Sequence, residues 1–432
     1  MKQKILVKLN KLVIAIFALA LVSAGCGGGE NKSAQKVTLN IWGVFDDSQS
    51  IQPLLDSYRK LRPNVQVIYT KKDINNYQNE LLNALAAGTG PDIYSIHNDW
   101  LPSFLDKTSA ATSQQWQFNN YKNDFVDVVV RDFTKDQKVY GIAISVDSLA
   151  LYYNKDLLGT VSIATPARTW EQLSVQAQLL KKQDSKGYFT RSGVAIGTNS
   201  NVNRAVDVLS LFMLQQGAQS YSTDGTRAVF GDSVQKNGNY TTPGLQALRF
   251  YTSFSNPQSP NYNWNSRSDY SIDAFANGRA AYLFGYSYFR NTIINKAPNL
   301  NFDVAEVPQP NLDDPKVNFA NYWGYVVSKQ SKFSDYAWDF LKQVTTKDAL
   351  SSYYAQTKVP SSRRDLIEFQ TADPEIGVFA SSNLTAKSFY KPDQTRFDNL
   401  FGQMIENIIL KGFSEEEALN QAEQQASTLV RQ

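Results

Sequence analysis

From Val37 onward, short stretches with apolar side chains at every second position alternate with longer stretches of helical spacing. Val37-Thr-Leu-Asn-Ile-Trp42 has the period of a half-buried strand, and Ser48 to Leu61 has that of a helix ending before Pro63. Val65 to Tyr69 reads as a second strand. Ile74 to Ala87 sets Tyr77, Leu81 and Leu85 on one helical face and stops at Gly88, and Pro91 to Ile96 reads as a third strand. Strand, helix, strand, helix, strand in this order predicts parallel pairing and an α/β lobe. A second set follows, with a strand at Ala150 to Tyr153, a helix capped by Thr169 and beginning at Trp170, and a strand at Gly193 to Ile196. Helices then dominate. Ser334 is placed to cap Asp335 to Val344, which carries Ala337, Trp338, Leu341 and Val344 on one face, and Ser414 with Glu417 forms a capping box for the last helix. The irregular stretch Ser255 to Ser271, with Tyr262 and Trp264, has the length of a binding loop or of a plain surface loop.

The first 36 residues break this pattern. Met1 to Gly25 carries Lys2, Lys4, Lys8 and Lys11 and no acid, followed by the apolar run Leu12 to Val22, the layout of a signal peptide. That run is short of the roughly 20 apolar residues needed to span a hydrocarbon core. It ends at Ser23-Ala24-Gly25-Cys26, which resembles a bacterial lipobox, in which the cysteine is diacylated and becomes the mature N-terminus. Ser23 stands where Leu is usual, and an ordinary secretory signal beside an incidental cysteine is the alternative. Residues 26–36 are small and polar, as a tether from a lipidated Cys26 should be. The expectation is an extracytoplasmic protein held on the cell membrane. Losing the four leader lysines takes the formal net charge from +3 to −1, so no basic patch for nucleic acid is implied.

Composition narrows the chemistry. A length of 432 residues suggests two domains or one bilobal body. One Cys and one His, His97, exclude disulfides and multi-histidine or cysteine-rich metal sites, and no cofactor or metal is expected. No P-loop, G-x-S-x-G elbow, H-E-x-x-H or G-x-G-x-x-G follows a strand, and the paired acids Asp46-Asp47 and Asp313-Asp314 are adjacent in sequence rather than opposed. The chain is therefore read as a binding protein, not an enzyme. Seven Trp and 23 Tyr are the larger signal, because flat rings stack on sugar faces while Asp, Asn and Arg bind hydroxyls. Trp170 and Trp338 lie on helix faces and are assigned to packing. Trp42, Trp100, Trp264 and Trp323 fall at strand ends or in loops, where clefts of α/β lobes form.

Six segments in order then carry a resemblance: Gly88-Thr-Gly-Pro-Asp-Ile-Tyr-Ser-Ile-His97; Tyr140-Gly-Ile-Ala with Leu151-Tyr-Tyr-Asn-Lys-Asp-Leu157; Thr169-Trp-Glu-Gln-Leu173; Phe275-Ala-Asn-Gly-Arg-Ala-Ala281 with Gly285; Trp323-Gly-Tyr-Val-Val-Ser-Lys329 leading into Ala337-Trp-Asp-Phe-Leu341; and Gly412-Phe-Ser-Glu-Glu-Glu-Ala-Leu419. From Val37 to the C-terminus the chain resembles the extracellular solute-binding proteins of the maltose-binding type, the receptors of ATP-driven importers. The resemblance implies a bilobal periplasmic-binding-protein-like α/β fold with crossing hinge segments, its first lobe at 37–146 and 306–345 and its second at 149–304 and 349–432. It implies a monomer that binds a mono- or oligosaccharide by hinge closure and hands it to membrane permease subunits. By motif, the ligand-binding positions would be Trp42, Asp46, Asn98, Asp147, Tyr286, Tyr288, Trp323 and Arg396, with Trp264 added from the long loop. Ser287 stands where many relatives stack a Trp, so stacking there is lost or passes to a flanking Tyr. His97 matches a His of relatives and is expected to hydrogen-bond structurally. A polyamine, organic anion or peptide in place of sugar, and a surface carbohydrate hydrolase, are the competing readings.

Overall fold

The computed structural model describes residues 35–430 apart from 237; the leader and Cys26 lie outside the described residues. Two separate hydrophobic cores form, each around a five-stranded sheet. In the first lobe the strand order is Val65–Lys71, Val37–Gly43, Ile93–His97, Trp323–Val327, Gly141–Ile142. The first three are parallel, with Val37 opposite Val65 and Ile41 opposite Ile93, as strand-helix-strand connections require. Ile93–His97 is central and buried at every residue, whereas Val37–Gly43 alternates buried and open positions along most of its length. The second lobe orders Phe302–Ala305, Ala150–Asn154, Ala280–Gly285, Phe189–Val194, Lys182–Gln183.

The helices follow the predicted pattern with local exceptions. Ser48–Leu61 is capped by the Asp47 carboxylate, which accepts from Ser50 N at 2.7 Å. Thr169 and Ser414 cap their helices through Gln172 N and Glu417 N, each at 3.2 Å. The second helix begins at Tyr77 instead of Ile74, because Asp73 accepts from Asn75 N at 3.1 Å and holds a turn there. Ser334 is the first helical residue and not a cap. The predicted strand at Gly193 to Ile196 is instead Phe189–Val194, and at Gly193 a Cβ would stand 2.2 Å from the Ala177 carbonyl of the helix Trp170–Leu180 packed on it.

A small three-stranded sheet joins the lobes, with Asn318–Asn321 between Ala386–Lys387 and Asp147–Ser148. Val146 packs in the first core and Leu149 in the second. The other two crossings differ from the expected limits. Val307 still belongs to the second core, and Gln309 O accepts from Trp170 N, so the chain returns only at 318–321 and not at 306. Leu350, Tyr353, Tyr354, Leu366 and Ile367 pack in the first core, placing residues 349–367 there and not in the second lobe. The final crossing falls between Ile367 and Phe389, where Val378 and Phe379 pack against the second core and Ala380 and Ala386 in the first. The reason is the amphipathic face of Lys347–Thr357, which lies against helix Ser48–Leu61.

Candidate solute site

A cavity of about 540 Å³ opens between the lobes beside the hinge sheet. From the first lobe, Phe45 and Asp46 enter from the turn after strand Val37–Gly43, and Trp323 and Tyr325 from the antiparallel strand. Trp323 faces His97 across the sheet, at 5.6 Å between ring centroids, and meets Trp100 edge-on at 4.9 Å. Phe45, 61% exposed, stands edge-on to Trp323 at 5.6 Å. An exposed ring held by a second ring at a cavity mouth is free to receive an apolar face. Asp46 accepts from Tyr325 Oη at 3.1 Å and Tyr353 Oη at 2.5 Å. Burial raises its pKa, and the two phenols partly offset the rise.

From the second lobe come Arg204 and the loop Tyr286-Ser287-Tyr288. Asp147, on the hinge strand, ties that loop down: it accepts from Ser287 N at 3.0 Å and from Ser287 Oγ at 2.7 Å, and from Ser148 N at 3.0 Å. Burial pushes its pKa up to about 6, against these hydrogen bonds and the charge of Arg204. Arg204 also walls an adjoining polar trough of about 440 Å³ that holds Asn199, Asn203, Asn399, Gln403 and Glu406. A larger depression of about 1100 Å³ lies within the first lobe, beside helix Ser48–Leu61, and has no aromatic lining. The aromatic cavity is therefore the better candidate.

The structure brings together Asp46, Asp147, Tyr286, Tyr288 and Trp323 of the expected positions, and places four others elsewhere. Trp42 lies outside the cavity lining, covered by Lys72 Nζ at 3.7 Å. Asn98 is buried, donates to Asp132 at 3.2 Å, and borders a different interlobe groove of about 740 Å³. Trp264 is 1% exposed in the second core, with its indole N–H on Asn201 Oδ1 at 3.2 Å; the long loop buries its ring and does not present it. Arg396 lies outside the cavity lining and pairs with Asp393 at 3.4 Å on its own helix. Trp100 is buried and stacked on Phe104. His97 bonds Asn321 Oδ1 through Nε2 at 3.1 Å. Phe45, Arg204, Asn321, Tyr325 and Tyr353 were not foreseen. Tyr325 lies inside a quoted motif, and Arg204 follows an Asn-rich turn; Tyr353 reaches the site only through tertiary packing. Among the described residues, no group of three or more His, Cys, Asp or Glu is placed to hold a metal ion.

Two α/β lobes on a three-strand hinge, with an aromatic and carboxylate-lined cavity between them, define a two-lobed binding protein. Residues 54–377 match the family model of bacterial extracellular solute-binding proteins, and the chain belongs to that family. Its members bind solutes and are not enzymes. The chain is similar to the maltodextrin-binding protein MdxE of Bacillus subtilis, 23% identical over 369 residues that cover 83% of this chain and 82% of that one. It is also similar to the maltotriose-binding protein of Pyrococcus abyssi, 21% identical over 75% of this chain and 64% of that one. The sugar-binding protein MalE of Xanthomonas citri superposes with a TM-score of 0.75 at 18% identity, covering 91% of this chain and 97% of that one. At that identity the likeness establishes the fold.

Proposed function

We propose that the chain is the substrate-binding lipoprotein of an ABC importer, anchored through a diacylated Cys26, which takes a mono- or oligosaccharide between its lobes and delivers it to membrane permease subunits. The observation that carries this reading is the make-up of the cavity: Phe45, Trp323 and Tyr325 on one side, Tyr288 and Arg204 on the other, with Asp46, Asp147 and Asn321 between. Ring faces stack on the apolar faces of pyranoses, and carboxylates and amides take the hydroxyls. The volume of about 540 Å³ is within the range of small-molecule sites, about 300–1,000 Å³. The amide-rich trough beyond Arg204 gives further rings a polar path, which favours an oligosaccharide. Relatives named for maltodextrin and maltotriose point the same way. Of the nine expected contact residues, Asp46, Asp147, Tyr288 and Trp323 are retained as contacts, and Tyr286, 1% exposed, lines the cavity from behind Tyr288.

The test is intrinsic tryptophan fluorescence, backed by calorimetry, against glucose, galactose, maltose, maltotriose and N,N′-diacetylchitobiose, with spermidine as the non-sugar control. A saturable response to at least one sugar is expected, with Trp323 as the reporter. A response to spermidine alone, or to nothing in the panel, overturns the sugar assignment.

A further inference from the structure

The loop that faces the cavity from the second lobe presents one accessible ring, Tyr288, 47% exposed; its neighbour Tyr286 is 1% exposed. The two phenols stack at 5.9 Å with planes 18° apart. The Arg204 guanidinium lies 5.5 Å from the Tyr286 ring and 6.0 Å from that of Tyr288, and its Nη2 donates to Tyr288 Oη at 2.6 Å. Arg204 adopts a left-handed backbone with φ of 61°, a strained conformation for a non-glycine residue that its surroundings must hold in place. The group behind all three is Asp207. Its Oδ2 accepts from Tyr286 Oη at 2.9 Å and lies 3.8 Å from Arg204 Nη1, while its Oδ1 lies 3.4 Å from the buried Lys391 Nζ. Lys391 is in turn 2.7 Å from Asp398 Oδ1 and sits four residues beyond the hinge strand Ala386–Lys387. Burial opposes charge on Asp207, but Lys391, Arg204 and the Tyr286 hydroxyl outweigh it and hold the carboxyl below its ordinary range.

We infer that Asp207 is a positioning residue for solute recognition: without lining the main cavity, it fixes Tyr286 and Arg204 and thereby sets the angle at which Tyr288 offers its ring to the guest. The inference rests on the cavity being the solute site. It explains how a stacking surface survives where Ser287 supplies none. Tyr288 takes over the role, and a ring borne on an exposed loop needs a buried anchor to keep a defined face. Asp207 also borders the polar trough at 5% side-chain exposure, so the test separates positioning from direct contact.

The first measurement needs no solute. Nitration of Tyr288 by tetranitromethane is followed by peptide mass spectrometry and normalised to Tyr240, which is 76% exposed on the hairpin strand Asn239–Thr241. In Asp207→Asn, and in Tyr286→Phe, which removes a single hydroxyl, the Tyr288 to Tyr240 ratio should change about threefold or more, because Arg204 no longer holds the phenol whose phenolate form the reagent attacks. An unchanged ratio in the folded variants overturns the inference. The second measurement is calorimetry with maltotriose. Asp207→Asn should weaken binding about tenfold in the otherwise unchanged protein and less than about twofold in a Tyr288→Ala background. Equal losses in both backgrounds mean that Asp207 touches the sugar itself, and an unchanged Kd means that it is only structural; either overturns the assignment. Should Asp207→Asn fail to fold, Tyr286→Phe carries both readings. If the unaltered protein ignores maltotriose and the rest of the sugar panel, the sugar assignment falls while the nitration ratio still decides the role of Asp207.

Discussion

Asp147 stands where the hinge sheet meets the cavity, accepting from Ser148 N in the one and from Ser287 in the other. Its carboxyl titrates near 6 in the folded protein because burial penalises the charge more than Ser287, Ser148 and Arg204 reward it. An unfolded aspartate titrates near about 3.9. Between these values the folded chain binds the extra proton, so the contribution of this group is greatest below about pH 4 and is lost as pH rises through 6. Asp46, Asp132 and Asp398 are also raised by burial, so the pH dependence of the native protein alone is composite. Comparison with Asp147→Asn isolates the one group. Urea unfolding at pH 4.5 and 7.5 should show the asparagine variant gaining on the native protein at the higher pH. A constant difference between the two would mean that Asp147 is charged and comfortable throughout.

The hinge strand Asp147–Ser148 is bracketed by two buried asparagines. Asn383 donates to Val146 O at 2.8 Å and to Ser361 O at 3.1 Å, and Asn318 donates to Leu149 O at 2.8 Å. Each amide satisfies a carbonyl that the short strand cannot pair for itself. Asn383→Ala should therefore cost about 1–3 kcal/mol, because two buried acceptors lose a partner; chemical denaturation reads it, and a loss below about 0.5 kcal/mol would remove the asparagine from the hinge. Nothing in the sequence marks these amides. What is legible there is whatever depends on neighbours along the chain: helix Ser48–Leu61, the Thr169 and Ser414 caps, and the alternation of Val37–Gly43. What fails depends on distant partners. Trp264 in an open loop looked available, yet Asn201 secures that loop by donating to Asn265 O and Ser268 O and turns the ring inward. Residues 349–367 carry no signal of which lobe their helices join. At the site, Asp46, Asp147 and Trp323 were readable from motifs, whereas Arg204 and Tyr353 arrive from other parts of the fold.

At the scale of the whole molecule the cavity walls belong to two bodies, and this dictates how binding must read out. Phe45, Trp323 and Tyr325 belong to the first lobe, and Arg204 and the Tyr286–Tyr288 loop to the second; three short strands join them. A guest that touches both walls gains contacts only when the walls approach, so it favours the closed arrangement by the difference in its affinity for the two. Small-angle scattering should then show a smaller radius of gyration on saturation with a sugar that binds in the fluorescence panel. Phe45→Ala, which removes the most exposed ring of the first wall, should weaken that sugar by about 0.5–1.5 kcal/mol, a few-fold to tenfold in Kd. It should leave the sugar-free scattering curve unchanged, because Phe45 is 61% exposed and supports little of the core. Saturable binding with no change in radius would mean that the guest sits on one lobe alone, and the hinge would then serve connection rather than capture.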